Sequence, residues 1–184
     1  QPEMRDAKCA RYVSEFDLPE YDAKLLTESK RLADLFEETV QICHKPKKVS
    51  NWLMGETLRL LKEREQDPAD LAFSAAHLAR LVDLADEGAV NSTVAKEVFE
   101  QIFLRDVDPD QYIEEHGLKT ISDTGLLTQV ITQAMADNPQ SVTDYRNGKK
   151  KAMGYLVGQV MKAMKGKADP ALVNQMLREA LEKE

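Results

Sequence analysis

The sequence predicts an all-α protein made of two small helical bundles joined by a short polar hinge. Charged residues make up 31% of the 184 and aromatics only 6%. Leu, Ala, Glu and Lys dominate, a composition that favours helix over sheet. Apolar residues recur at helical spacing in segment after segment, and no convincing alternation marks a strand. At this length the chain forms one domain or two small ones, with enough residues to bury a real core.

A first helix is expected from about Glu3 to Glu15, stopping before Pro19. Thr27 is the expected cap of the next, with Leu32, Leu35, Phe36, Val40 and Cys43 as its buried stripe and Pro46 as its breaker. Val49, Trp52, Leu53, Leu60 and Leu61 mark a third helix that ends near Gln66, ahead of Asp67-Pro68. Ser74 opens a fourth, with Leu78, Leu81, Val82 and Ala85 inward and Gly88 just past its end. Asn91 opens a fifth, carrying Ala95, Val98, Phe99, Ile102 and Phe103. Asp108-Pro109 starts a short helix that reaches Glu115 and halts at Gly117.

The segment from Gly117 to Thr124 is polar and holds the turn-prone Ser122-Asp123. It is the expected hinge, with a helical domain over 1–117 and a tail domain over 118–184. Leu126, Leu127, Val130, Ile131, Ala134 and Met135 then form another inward stripe, which Asn138-Pro139 ends. A short helix to about Arg146, a basic helix, and a last helix from Asp169-Pro170 complete the pattern. In that last helix Val173, Met176, Leu177, Ala180 and Leu181 face inward.

The most informative stretch runs from Arg146 to Lys167. It holds seven basic residues (Arg146, Lys149, Lys150, Lys151, Lys162, Lys165, Lys167) and no acid, in a chain of net charge −7. Without it, 18 basic face 32 acidic residues. Such a local reversal points to an anionic partner. As one helix from Lys149 to Met164, the stretch places Met153, Leu156, Val157, Val160, Met161 and Met164 on one face. Lys151, Tyr155, Gly158 and Lys162 line the opposite side, flanked by Gly154 and Lys165. Glycine inside a helix costs roughly 1 kcal/mol against alanine. Among outward lysines it leaves bare backbone to which a bulky anionic backbone can come close. A glycine-mediated protein contact, or a merely solvated lysine face, fits the same pattern.

Other chemistry is sparse. His44, His77 and His116 are scattered, without ligand spacing to cysteine or carboxylate, and read as structural or exposed. No glycine-rich phosphate loop, metal set or nucleophile–base pair is recognisable. Two cysteines, Cys9 and Cys43, make no framework of bridges, which suits a reducing cytosol. Trp52 reads as a core anchor, and Lys45, Lys47 and Lys48 as a small loop cluster. With only Tyr145 and Tyr155 as aromatics in or beside the basic stretch, shape and phosphate contact on folded RNA fits better than base readout. No targeting signal or spanning segment is present. The chain opens at Gln1-Pro2 and enters a helical pattern at once, as expected of a piece of something longer.

The run GKKKAMGYLVGQVMKAMKG over 148–166, followed by KADPALVNQML, closely resembles the C-terminal, YqeY-like tail of GatB, the B subunit of the bacterial glutamyl/aspartyl-tRNA amidotransferase. LPEYDA from Leu18, LADLFEE from Leu32, VSNWLMGE from Val49, AKEVFE from Ala95 and GLKTISD from Gly117 extend the resemblance over nearly the whole chain. Met164, where the family often has a small hydroxyl residue, and Gly88-Ala89-Val90 depart from it.

The resemblance implies an ATP-dependent carbon–nitrogen ligase whose catalytic cradle, with ATP and magnesium, lies outside this chain. It implies no catalytic residue, metal or cofactor here, and no membrane or DNA partner. Implied partners are tRNA(Gln) or tRNA(Asn) and the glutaminase (A) and small (C) subunits of the amidotransferase, in the cytoplasm. Lys149, Lys150, Lys151, Lys162, Lys165 and Lys167 are the expected phosphate contacts, with close approach at Gly154 and Gly158 and packing by Tyr155. Asn174 and Arg178 are weaker candidates. The alternative is a protein-interaction module that docks its Gly/Lys face on a partner protein of the same enzyme.

Overall fold

The structure, a computed structural model, describes residues 1–121 and 124–183. The expected Ser122-Asp123 turn lies outside the described residues. Those residues form an all-α protein whose extended pairing is a single parallel bridge between Ile121 and Ala168. Contacts divide the chain into two units. The first holds residues 1–87 and 92–117; the second holds 88–91 and 118–184.

In the first unit, α1 (Arg5–Phe16) ends where Asp17 turns left-handed, at φ 54°. A helix the periodicity did not predict follows, α2 (Glu20–Leu26), with Pro19 at its N-cap. Its presence moves the next cap. The Thr27 hydroxyl donates back to the Ala23 carbonyl at 2.8 Å and so closes α2. Ser29 instead caps α3 (Lys30–Cys43), accepting from the Leu32 N–H. Tyr12, Phe16 and Phe36 knit α1 to α3, with ring centroids 4.9–5.6 Å apart.

The third expected helix is α4 (Pro46–Trp52), a π-helical turn over Leu53–Thr57, and α5 (Leu58–Glu63). The Thr57 hydroxyl donates to the Trp52 carbonyl, five residues back, which supports the wide turn. The rod stops before Gln66 because Glu65 adopts φ 52°. Trp52 is half-buried, its ring 5.3 Å from Phe99.

Ser74 caps α6 (Ala75–Asp86), which packs along α3. The α7 helix (Ser92–Arg105) buries Val94, Ala95, Val98, Phe99 and Ile102, and α8 (Pro109–Glu115) is capped by Asp108. The Asp106 carboxylate ties the end of α7 to the start of α6. It accepts from the Ser74 N–H at 3.0 Å and lies 2.8 Å from His77 Nδ1. His44 ends α3 in a left-handed conformation, and His116 stacks on Tyr112. Both cysteines are free, and burial pushes the Cys43 thiol pKa up.

The second unit comprises α9 (Thr124–Asp137), α10 (Pro139–Arg146), α11 (Lys151–Ala163) and α12 (Pro170–Glu182). Leu127, Ile131, Leu156, Val160, Val173, Leu177 and Leu181 form its core. Leu126, expected inward, is 41% exposed, because Leu127 and Ile131 already turn the face of α9 to the core. Residues 88–91 complete the unit. The Ala89 carbonyl accepts from the Thr120 N–H at 2.8 Å, the Asn91 side chain donates to the Gly166 carbonyl, and Val90 is 2% exposed.

Candidate nucleic-acid interface

α11 is held by one face. Leu156 and Val160 are fully buried and Met164 nearly so, while Met153, Val157 and Met161 pack against the same core. This fixes the opposite side outward: Lys151, Gly154, Tyr155, Gly158 and Lys162 are all exposed. A Cβ added at Gly154 or Gly158 would meet no atom within 4 Å. These glycines therefore admit no helix of their own unit; they leave bare backbone facing solvent between the lysines.

The helix is shorter at its start than the sequence predicts. Gly148, at φ 93°, ends α10, and the Lys149 N–H donates to the Asp144 carbonyl at 2.9 Å. Lys149 and Lys150 thus precede α11 rather than lie within it. Lys149 also places its ammonium 3.7 Å from the Asp144 carboxylate. The first turn of α11 carries no acidic residue and no side-chain cap. Three lysines at a helix N-terminus oppose the macrodipole, a placement costing about 0.3–1 kcal/mol per charge unless an anion binds.

At the other end, Lys165 and Gly166 both turn left-handed, at φ 55° and 72°. The Gly166 N–H donates to the Met161 carbonyl at 2.8 Å and closes the helix. Lys165 remains exposed, and Lys167 is half-buried.

Arg146 belongs to the basic stretch in sequence but not to this face. Its guanidinium donates to the Leu181 and Lys183 carbonyls at 3.3 Å and caps the end of α12. Arg178 is exposed. The side-chain oxygen of Asn174 is sealed from solvent without a hydrogen-bond partner, so it offers no acceptor at the surface.

Charge separates with the fold. The first unit carries 15 basic against 25 acidic residues, −10; the second carries 10 against 7, +3. The pairing differs as well. In the first unit Lys45 meets Asp83 and Asp86, Lys48 meets Asp86 at 2.6 Å, and Lys47 meets Asp17 at 2.9 Å. The hydrogen bond from Lys48 holds the Asp86 carboxyl below its ordinary range. In the second unit Lys150, Lys151, Lys162, Lys165 and Lys167 have no acidic partner among the described residues.

A model of the GatB domain, GatB_Yqey, matches residues 34–181. The chain belongs to the GatB domain family. The B subunit of the aspartyl/glutamyl-tRNA(Asn/Gln) amidotransferase of Lachnoclostridium phytofermentans is 59% identical over 183 residues, covering 100% of this chain and 38% of that protein. Its counterpart in Agathobacter rectalis is 60% identical over 181 residues, 98% of this chain and 38% of its own length. That of Thermoanaerobacter sp. (strain X514) is 48% identical over 182 residues, 99% and 38% respectively. This GatB domain thus spans less than two fifths of the length of the curated relatives it matches. The span matched by the family model contains the whole Gly/Lys face.

Proposed function

We propose that this GatB domain is a non-catalytic, tRNA-binding part of the B subunit of a glutamyl/aspartyl-tRNA amidotransferase. It holds the body of tRNA(Gln) or tRNA(Asn), with the contact made by the tail over 118–184. A cradle domain outside this chain amidates the mischarged aminoacyl end, using ATP, magnesium and ammonia. The glutaminase (A) partner supplies the ammonia, and the small (C) partner completes the complex. The setting is cytoplasmic, and no helix among the described residues is long and apolar enough to cross a membrane. Among the described residues, no three or more His, Cys, Asp or Glu come together as a metal-binding group.

The observation carrying this reading is the α11 surface: Lys151 and Lys162 without acidic partners among the described residues, two outward glycines and an exposed Tyr155 in a chain that is otherwise acidic. Lysines give phosphate contacts that position a nucleic acid without reading its sequence. Bare helix backbone admits the ribose-phosphate chain, and the tyrosine ring packs on a ribose or base.

The test is binding to folded tRNA(Gln) across a salt series, with a linear RNA of equal length as control. Preference for the folded RNA is expected, with a log–log salt slope of about −0.7 to −0.9 per phosphate contact. Lys151→Ala with Lys162→Ala should weaken binding without unfolding the tail. Absence of binding at low salt would make the Gly/Lys face a docking surface for a protein partner instead.

A further inference from the structure

Beside the lysine face runs a groove between α9 and α11, of about 540 Å³, to which Lys162 contributes directly. Its volume lies within the range of about 300–1,000 Å³ typical of small-molecule sites. Val130, Ala134 and Ala163 supply apolar lining, Gln133, Asn138 and Gln159 supply carboxamides, and Asp137 supplies a carboxylate. On a helical projection at about 100° per residue, Lys162, Tyr155 and Gln159 fall within a sector of about 60°. The groove is therefore the flank of the proposed phosphate-binding face, not a separate surface.

Its polar groups are unevenly engaged. The Gln133 amide donates to Asp137 at 2.8 Å, and the Asn138 amide donates to the Ala134 carbonyl at 2.8 Å, which leaves their oxygens as acceptors. The Gln159 side chain is half-buried, makes no hydrogen bond among the described residues, and is not sealed from solvent. A carboxamide in that condition keeps both donor and acceptor for a ligand. A slot with an apolar wall of Val130, Ala134 and Ala163, carboxamides and the Asp137 carboxylate for the polar edge of a base, and Lys162 at its mouth suits a nucleobase displaced from its stack and still joined to its phosphate. Bulged bases splayed from an RNA helix expose their edges to hydrogen bonds of this kind.

We infer that the α9–α11 groove takes an unpaired nucleobase of the bound RNA, with Gln159 on its edge and Lys162 on the adjoining phosphate. The inference rests on the RNA-binding reading of the lysine face.

The test uses the whole chain and three fluorescent RNA hairpins: one with a single-nucleotide bulge, one with an abasic site at the bulge, one without it. The bulged hairpin should bind about fivefold tighter than the abasic one, on the scale of one net hydrogen bond to the base edge. Gln159→Ala should remove most of that difference. So should Ala163→Phe, which fills the groove from an exposed position. Both variants should keep the melting temperature of the parent chain. Equal binding of bulged and abasic hairpins, with Lys151→Ala still weakening both, overturns the groove and leaves the lysine face standing. No binding of any hairpin or of folded tRNA overturns both.

Discussion

Lys149 and Asp144 lie 3.7 Å apart across the turn at Gly148, so the first lysine of the basic stretch is partly neutralised within its own unit. Lys151, two residues on, has no acidic partner among the described residues. Lys149→Ala should therefore lower RNA affinity less than Lys151→Ala and flatten the salt slope less. Lys47→Ala with Lys48→Ala should leave the affinity unchanged, since both lysines already meet carboxylates. Equal losses from all four substitutions would mean that net charge, not the α11 face, governs binding.

Gly154 and Gly158 should show stability and binding moving in opposite directions. Alanine at each position meets open space and should stabilise α11 by about 1 kcal/mol. The added methyls stand where a ribose-phosphate backbone would approach, so RNA affinity should fall. Thermal unfolding and anisotropy on one double variant read both effects. A stabilised variant with undiminished affinity would rule out close backbone approach.

The charge pattern and its helical phase were legible because both are local. Asp108-Pro109, Asn138-Pro139 and Asp169-Pro170 start their helices as the sequence predicts, since an acceptor side chain or a fixed φ acts over one turn. What escaped depends on partners far along the chain or on backbone geometry without a composition signal. Sequence proximity alone groups Arg146 with the lysines, because its acceptors, Leu181 and Lys183, lie 35 and 37 residues away. The π turn at Leu53–Thr57 preserves the apolar pattern on both sides and so left no mark in the periodicity. α2 is seven residues long, too short for a periodic signal, and its omission carried the cap to Thr27 instead of Ser29.

Asp106 gives the first unit an acid-sensitive fastening. Burial opposes its ionisation, but the Ser74 N–H and the His77 ring outweigh it and hold the carboxyl below the ordinary aspartate range. A lowered folded pKa stabilises fully above the unfolded value, about 3.9, and that contribution is lost as pH falls through the folded value. Asp106→Ala should cost about 1–2 kcal/mol at neutral pH. Urea unfolding at pH 7 and pH 3 should show the gap between parent and variant narrowing in acid. A gap of constant size would assign the loss to packing rather than to the carboxylate.

Asn91 should matter to the tail although it lies far upstream in sequence. Asn91→Ala removes the bond to the Gly166 carbonyl and should lower the stability of the second unit by about 1 kcal/mol. Amide exchange at Thr120 and Ile121, whose N–H groups bond to Ala89 and Lys167, should speed up. Unchanged exchange there would separate residues 88–91 energetically from the tail.

The placement of residues 88–91 also sets an order for events during synthesis. The segment leaves the ribosome ahead of α7 and α8, yet the Gly166 carbonyl that Asn91 binds is made 75 residues later. At about 5–20 residues per second, that is a wait of roughly 4–15 s. Closing so long a loop adds little free energy, since each doubling of length costs about 0.6 kcal/mol. Delay, not entropy, is the burden. Throughout it the bond between Asn91 and Gly166 is unmade, so the seam that joins residues 88–91 to the tail closes only after α7 and α8 have been translated.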